Sequence, residues 1–138
     1  MAQSTPDSFY LHFDTEFCDK SNRWEFIVQL SDYIHCGTEY EIGLVNCSYA
    51  NEKEVRYFCT NLIDPQNLHT NKIRILKVIP PTTKNYRNLF TPTYVQMSGQ
   101  SSTFNSFSIY ILNSDLNTVN VRANLIGTLH IKRKAHHD

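Results

Sequence analysis

The run Trp24-Glu25-Phe26-Ile27-Val28-Gln29-Leu30 decides how this chain is read. Trp24, Phe26, Val28 and Leu30 recur at every second position, with Glu25 and Gln29 between them. Successive side chains of an extended strand point to opposite faces of a sheet. The spacing therefore predicts a strand with one apolar face, formed by those four residues, and one wet face.

The same period extends in both directions. Before it, Phe9, Leu11 and Phe13 alternate with Tyr10 and His12; after it, Tyr40, Ile42 and Leu44 alternate with Glu39, Glu41 and Gly43. Val55 to Ile63 is aromatic and β-branched, and ends at the turn signal Asp64-Pro65. Lys72 to Ile79 reads as another strand, stopped by Pro80-Pro81, which cannot continue a central ladder. Thr93 to Met97 is a weak strand, Phe107 to Ile111 a strong one, and Leu129 and Ile131 alternate with Thr128, His130 and Lys132. Asn113 to Leu125, rich in Asn and Thr, reads as a turn with a marginal strand. No window carries the i, i+3, i+4, i+7 spacing of an amphipathic helix. About eight short antiparallel strands with turn signals between them predict an all-β chain, a sandwich or a barrel. It reads as one domain over residues 1–138, with 1–8 and 135–138 as flexible ends, and Pro80 to Phe90 as a long polar loop suited to a functional excursion.

Composition agrees. Eight Tyr and eight Phe against four Gly favour pleated, half-buried surfaces. Met1 to Ser8 lacks the apolar core of a secretory signal, and no stretch approaches the roughly 18 apolar residues of a membrane span. The expectation is a protein made inside a cell, without a membrane-spanning segment. Cys18, Cys36, Cys47 and Cys59 are spaced 18, 11 and 12 residues apart, which gives no Cys-x-x-Cys half-site for zinc. In a reducing compartment they are expected to be free thiols packed as small hydrophobes. Charge is uneven: residues 1–71 hold four basic and eleven acidic residues, residues 72–138 nine basic and two acidic. Were the halves to form separate faces, the acidic face of one copy would suit the basic face of the next.

Catalytic signatures are absent from the sequence. His12, His35, His69 and His130 are isolated, and His136 and His137 lie at the C-terminal end. Gly37, Gly43, Gly99 and Gly127 are too dispersed for a phosphate loop. Glu39/Glu41 and Glu52/Glu54 read as strand-face and loop charges, and Asn46-Cys47-Ser48 as an unused glycosylation pattern. The expectation is a non-enzyme with no catalytic residue, cofactor or metal. Lys132-Arg133-Lys134 is a short basic run of the kind that touches packaged DNA or serves as a nuclear address; a solvated strand end accounts for it equally well.

The order of segments resembles a known family. Glu39-Tyr40-Glu41-Ile42-Gly43-Leu44-Val45, preceded by Phe26-Ile27-Val28-Gln29-Leu30, is similar to the "yEvGL" strand and its predecessor in penton-type single jelly-roll capsid proteins. Those proteins occur in Polinton (Maverick) elements, adintoviruses and related double-stranded DNA viruses. Tyr57 to Gln66 resembles their "YvyCnlv-x-pQ" segment and Ile75 to Ile79 their "LLRvv" strand. Phe90 to Val95, then Phe104 with Ile109 and Ile111, then Thr128 to Arg133 resemble the closing segments, so the likeness spans Phe9 to Lys134. One departure is the short interval Asn46 to Arg56, where relatives carry a longer insertion.

The resemblance implies a single jelly-roll β-sandwich and a structural protein of the virion, a homopentamer at a capsid vertex. Its partners would be further copies of itself and the neighbouring major capsid protein, with assembly in the host cell, in the nucleus for some. Tyr33, Tyr49, Tyr86, Phe90 and Tyr94 exceed what one small core needs and are the candidate subunit interface. Two other readings are a trimeric jelly-roll binding module of the tumour-necrosis-factor-like kind and a metal-binding enzyme of cupin type. The missing secretory signal opposes the first, and the absence of clustered His and Glu ligands opposes the second.

Overall fold

The computed structural model describes residues 5–68, 71–81, 88–89 and 91–135. In chain order the strands are β1 (Ser8–Asp14), β2 (Phe26–His35), β3 (Tyr40–Cys47), β4 (Arg56–Thr60), β5 (Gln66–Leu68) and β6 (Asn71–Ile73). They continue with β7 (Ile75–Ile79), β8 (Asn88–Leu89), β9 (Val95–Gln96), β10 (Thr103–Leu112) and β11 (Ile126–Arg133). Single 3-10 turns lie at Thr15–Phe17 and Gly99–Ser101.

Two antiparallel sheets result. One runs β1-β11-β3, with β8 and β9 both on the far side of β3; the other runs β2-β10-β4-β7. β5 and β6 form a separate small hairpin. With that hairpin set aside and β8 and β9 taken as one edge, the first strand pairs with the last, the second with the next to last, the third with the sixth and the fourth with the fifth. This nested pairing is the winding of a jelly roll, so the fold is an all-β sandwich of that kind.

The core lies between the sheets. Leu11 and Phe13 of β1, Ile42 and Leu44 of β3, and Leu129 and Ile131 of β11 face Phe26 and Val28 of β2, Phe58 of β4, and Phe107, Ile109 and Ile111 of β10. Phe26, Phe58 and Phe107 are wholly enclosed, and burial of each contributes roughly 1.5–3 kcal/mol. Gly127 of β11 lies opposite Phe13 of β1, and any side chain there would run into that ring and into the Asn46 carbonyl.

Four local expectations are corrected. Trp24 does not join the inner face of β2: it is 50% exposed. The Asn22 carboxamide oxygen accepts from the amides of Trp24 (3.0 Å) and Glu25 (3.3 Å), so the chain is still turning there and the strand begins at Phe26. Lys72 to Ile79 is two strands, because Arg74 breaks it: its Nε donates to the Ile63 carbonyl (3.1 Å) and its own carbonyl accepts from the Thr60 amide (3.2 Å). β6 then pairs with β5, while β7 pairs with β4. Thr93 to Met97 contracts to β9 with an isolated bridge between Ile63 and Met97. Asn113 to Leu125 is a turn, as expected, but its marginal strand is only an isolated bridge between Thr118 and Leu112; Asn113 Oδ1 accepts from the amides of Asp115 and Asn117, and Leu116 takes a left-handed φ of 66° in that turn.

Near the N-terminus, the Tyr40 hydroxyl reaches the Thr5 and Pro6 carbonyls (3.2 and 3.1 Å), and the Arg133 amide donates to the Asp7 carbonyl (2.7 Å). Of the Pro80 to Phe90 loop, residues 82–87 and 90 lie outside the described residues. Because β11 runs between β1 and β3, the two oppositely charged halves of the chain interleave. Arg133 pairs with Asp7 (3.0 Å) and Glu39 (2.5 Å), and Lys132 with Glu41 (3.7 Å). The imbalance is thus partly neutralised within one molecule.

Candidate assembly surfaces

An antiparallel sheet with one face on the core and one in water carries polar residues on the outside. The outer face of β2-β10-β4-β7 departs from this. In the register, Tyr110 stands opposite Cys59, Leu112 opposite Tyr57, Tyr57 opposite Val78 and Cys59 opposite Ile75. These residues alternate with Phe58, Ile109 and Ile111, which point into the core, so they point away from it. Ile27 on β2 continues the face at the other side of β10, opposite Ser108. The result is an apolar stripe across four strands, in which Val78 and Ile27 remain about half exposed. Those two are the exposed parts of the face, whereas Cys59 and Leu112 are covered within the chain itself.

Burial inside this stripe is deep enough to alter its chemistry. Cys59 is fully covered although it lies on the outer side, and burial pushes its thiol up to about 12. Burial likewise pushes the Tyr110 phenol up to about 12, with the neighbouring Cys59 raising it further and Arg74 opposing. Both groups are neutral at physiological pH and act as hydrophobic surface.

The outer face of the other sheet holds a different constellation. Its centre is His130 on β11, flanked by Tyr10 on β1 and Gly43 on β3. Gly43 lets Pro92 and the Tyr94 ring lie directly on the sheet, since a Cβ there would already stand 3.2 Å from both. Tyr94 Oη is 2.6 Å from His130 Nδ1, and Ser8 Oγ is 2.7 Å from Nε2. Tyr10 stacks on the imidazole at 4.6 Å between centroids, and the Lys132 ammonium sits 4.1 Å above the Tyr94 ring. Burial, helped by Lys132, lowers the His130 pKa from its usual value. A neutral imidazole has one donor and one acceptor nitrogen, which these two hydroxyls satisfy. With no carboxylate on Nδ1, the group is a fixed surface knob with a proton-sensitive centre. No family model matches the chain, and no curated protein matches it.

The three candidate interface residues that are described, Tyr33, Tyr49 and Tyr94, lie in different places. Tyr33, 64% exposed, lies on the outer side of β2 at the end remote from Val78. Tyr49 packs partly against the core and lines an end cavity with Arg56 and Val121. Tyr94 belongs to the His130 knob. Tyr86 and Phe90 lie outside the described residues. Lys132, Arg133 and Lys134 are engaged within the chain: beyond the pairs above, Arg133 stacks on the Tyr40 ring (4.9 Å) and Lys134 Nζ donates to Gln96 Oε1 (2.6 Å).

Period-two alternation does not reveal the apolar stripe, because Val55 to Ile63 does not alternate strictly. Its signal was present: Tyr57-Phe58-Cys59 is apolar at three consecutive positions, the mark of a strand covered on both sides. Among the described residues no three His, Cys, Asp or Glu side chains gather to hold a metal, and no helix is long and apolar enough to cross a membrane.

Proposed function

We propose that this chain is a structural capsid subunit, a penton-like vertex protein that assembles as a pentamer. The observation that carries the reading is the apolar outer face of β2-β10-β4-β7, built from Tyr57, Cys59, Ile75, Val78, Tyr110 and Leu112. In a closed ring of identical subunits each copy offers one patch to a different patch on the next. A stable contact takes roughly 800 Å² from each partner. That is about a tenth of the 8442 Å² this chain exposes, and a closed ring takes two such patches from each copy, of which the outer sheet face supplies one.

The family resemblance supports the same reading. Its quoted segments fall on β2, β3, β4, β7, β10 and β11, six of the strands that take part in the winding. The neighbouring major capsid protein and packaged DNA are the further partners the reading implies. Because Lys132, Arg133 and Lys134 are already held within the chain, a DNA contact through them would have to compete with those bonds. The test is a pair of charges on the stripe, Val78→Glu with Ile27→Glu. Both sites are half exposed in the single chain, so the far-ultraviolet circular dichroism is expected to stay unchanged while the oligomer dissociates. An oligomer that survives both charges places the contact elsewhere and removes the observation on which the proposal stands.

A further inference from the structure

We propose that the cleft between the Cys18–Glu25 loop and the segment preceding β11 binds single-stranded nucleic acid, with phosphates on Lys20, Arg23 and Arg122 and a base on Trp24. The cleft, of about 320 Å³, is lined by Lys20, Ser21, Arg23, Trp24, Asn120 and Arg122. It stands on its own geometry and does not depend on the assembly reading.

The loop is built to present these side chains. Asp19 Oδ1 accepts from the Ser21 amide (2.9 Å) and Asn22 Oδ1 from the Trp24 amide (3.0 Å), two consecutive side-chain-capped turns. The Val121 amide donates to the Arg23 carbonyl (3.0 Å), and Arg23 Nη1 donates to the Arg122 carbonyl (3.1 Å), so the loop is fastened to the opposite wall. A guanidinium has five N–H donors. The backbone contact uses one, and the rest of the Arg23 fork remains available to an anion.

The three cations that line the cleft form no ion pair: those among the described residues involve Arg56, Lys132 and Arg133, and none involves Lys20, Arg23 or Arg122. Asp19 is not among the lining residues; hydrogen bonds from Ser21 hold its carboxyl below the usual range, and it is the one carboxylate next to this cluster in sequence besides Glu25. Three cations around one cavity repel each other unless an anion joins them. A half-exposed indole among them adds a flat surface for a base, the combination by which proteins hold single strands without reading their sequence. Asn120 and Arg122 also line a second cavity of about 310 Å³ that leads on to Tyr49 and Arg56, which makes room for more than one nucleotide.

Trp24 is the only tryptophan, so its emission reports directly on the site. The intact chain would be titrated with a ten-nucleotide oligothymidine at rising salt, beside thymidine monophosphate and inorganic phosphate. The oligonucleotide is expected to quench Trp24, with a log–log salt slope of about −2 for three phosphate contacts. Arg122→Ala and Lys20→Ala, both at exposed positions, are expected to weaken binding several-fold and flatten the slope by about 0.7 each. Trp24→Leu, followed by anisotropy of a labelled oligonucleotide, should also weaken it, whereas Lys134→Ala should not. Absent quenching at low salt, or binding indifferent to Arg122→Ala and Lys20→Ala, would overturn the proposal. Equal affinity for the mononucleotide would overturn the strand in favour of a free nucleotide, and binding of phosphate alone would overturn the role of Trp24.

Discussion

Replacing Gly127 by alanine tests the packing where β1, β11 and β3 meet. A methyl group there would stand 2.4 Å from Phe13 Cζ, 2.9 Å from Phe13 Cε1 and 2.6 Å from the Asn46 carbonyl oxygen. The phenyl ring has little freedom to retreat, since Phe13 is buried and packs on Phe58 with centroids 5.8 Å apart. The carbonyl belongs to β3, which is held in the sheet by β11 itself. Gly127 is not at positive φ, so alanine meets no backbone strain and would gain about 0.4–1 kcal/mol through the unfolded chain. Overpacking a dense core costs about 1–3 kcal/mol. The difference leaves Gly127→Ala about 1–2 kcal/mol less stable, a fall in Tm of roughly 3–10 °C for a chain of this size. Urea unfolding followed by far-ultraviolet circular dichroism measures it. Gly99→Ala is the control, because there the nearest atom is Thr38 Cγ2 at an ordinary 3.5 Å. Adding Phe13→Leu should restore part of the loss, while the Asn46 contact keeps recovery incomplete. A Gly127→Ala variant as stable as the parent would refute the close approach of the three strands.

Two further outcomes follow from the buried titratable groups. Cys59, pushed up to about 12, should be alkylated in the folded protein on the order of a thousandfold more slowly than an ordinary thiol of pKa 9.0. Cys47, at about 11, should be about a hundredfold slower, and mass spectrometry after timed iodoacetamide exposure would show fast Cys59 labelling if this burial were wrong. For His130 the folded pKa lies below the 6.5 of the free group, so on acidification the unfolded chain takes up the proton first. Its stabilising contribution is therefore present above pH 6.5 and lost as pH falls through the folded value. Urea midpoints at pH 7.5 and 5.5 should differ more for the parent than for His130→Gln, and equal differences would assign the pH effect to another group.

The fold was legible because its strands are short, two-faced and separated by clear turn residues. Leu11, Phe13, Ile42 and Leu44 lie in the core as their spacing implies, and Phe9 packs against it partly buried. Where local hydrogen bonding overrode the pattern, the sequence misled: Asn22 holds Trp24 in a turn although its spacing continues the strand, and Arg74 divides a run that looks continuous. Surfaces were harder to read than the core. The outer stripe depends on which strands neighbour each other, since Tyr57, Val78 and Leu112 come together only through the β10-β4-β7 order. The cationic cleft joins Arg23 to Arg122 across 99 positions, a distance no local motif spans. The basic run Lys132-Arg133-Lys134 is conspicuous in the sequence, yet Asp7, Glu39 and Glu41 supply it with carboxylates and Tyr40 and Tyr94 with rings.

The native mass of the chain is the most direct test of assembly through its outer sheet face. Native mass spectrometry or light scattering at high protein concentration should give one discrete species at five times the 16.1 kDa chain mass. A strict monomer would contradict assembly altogether, and a trimer would transfer the fold to the binding-module reading.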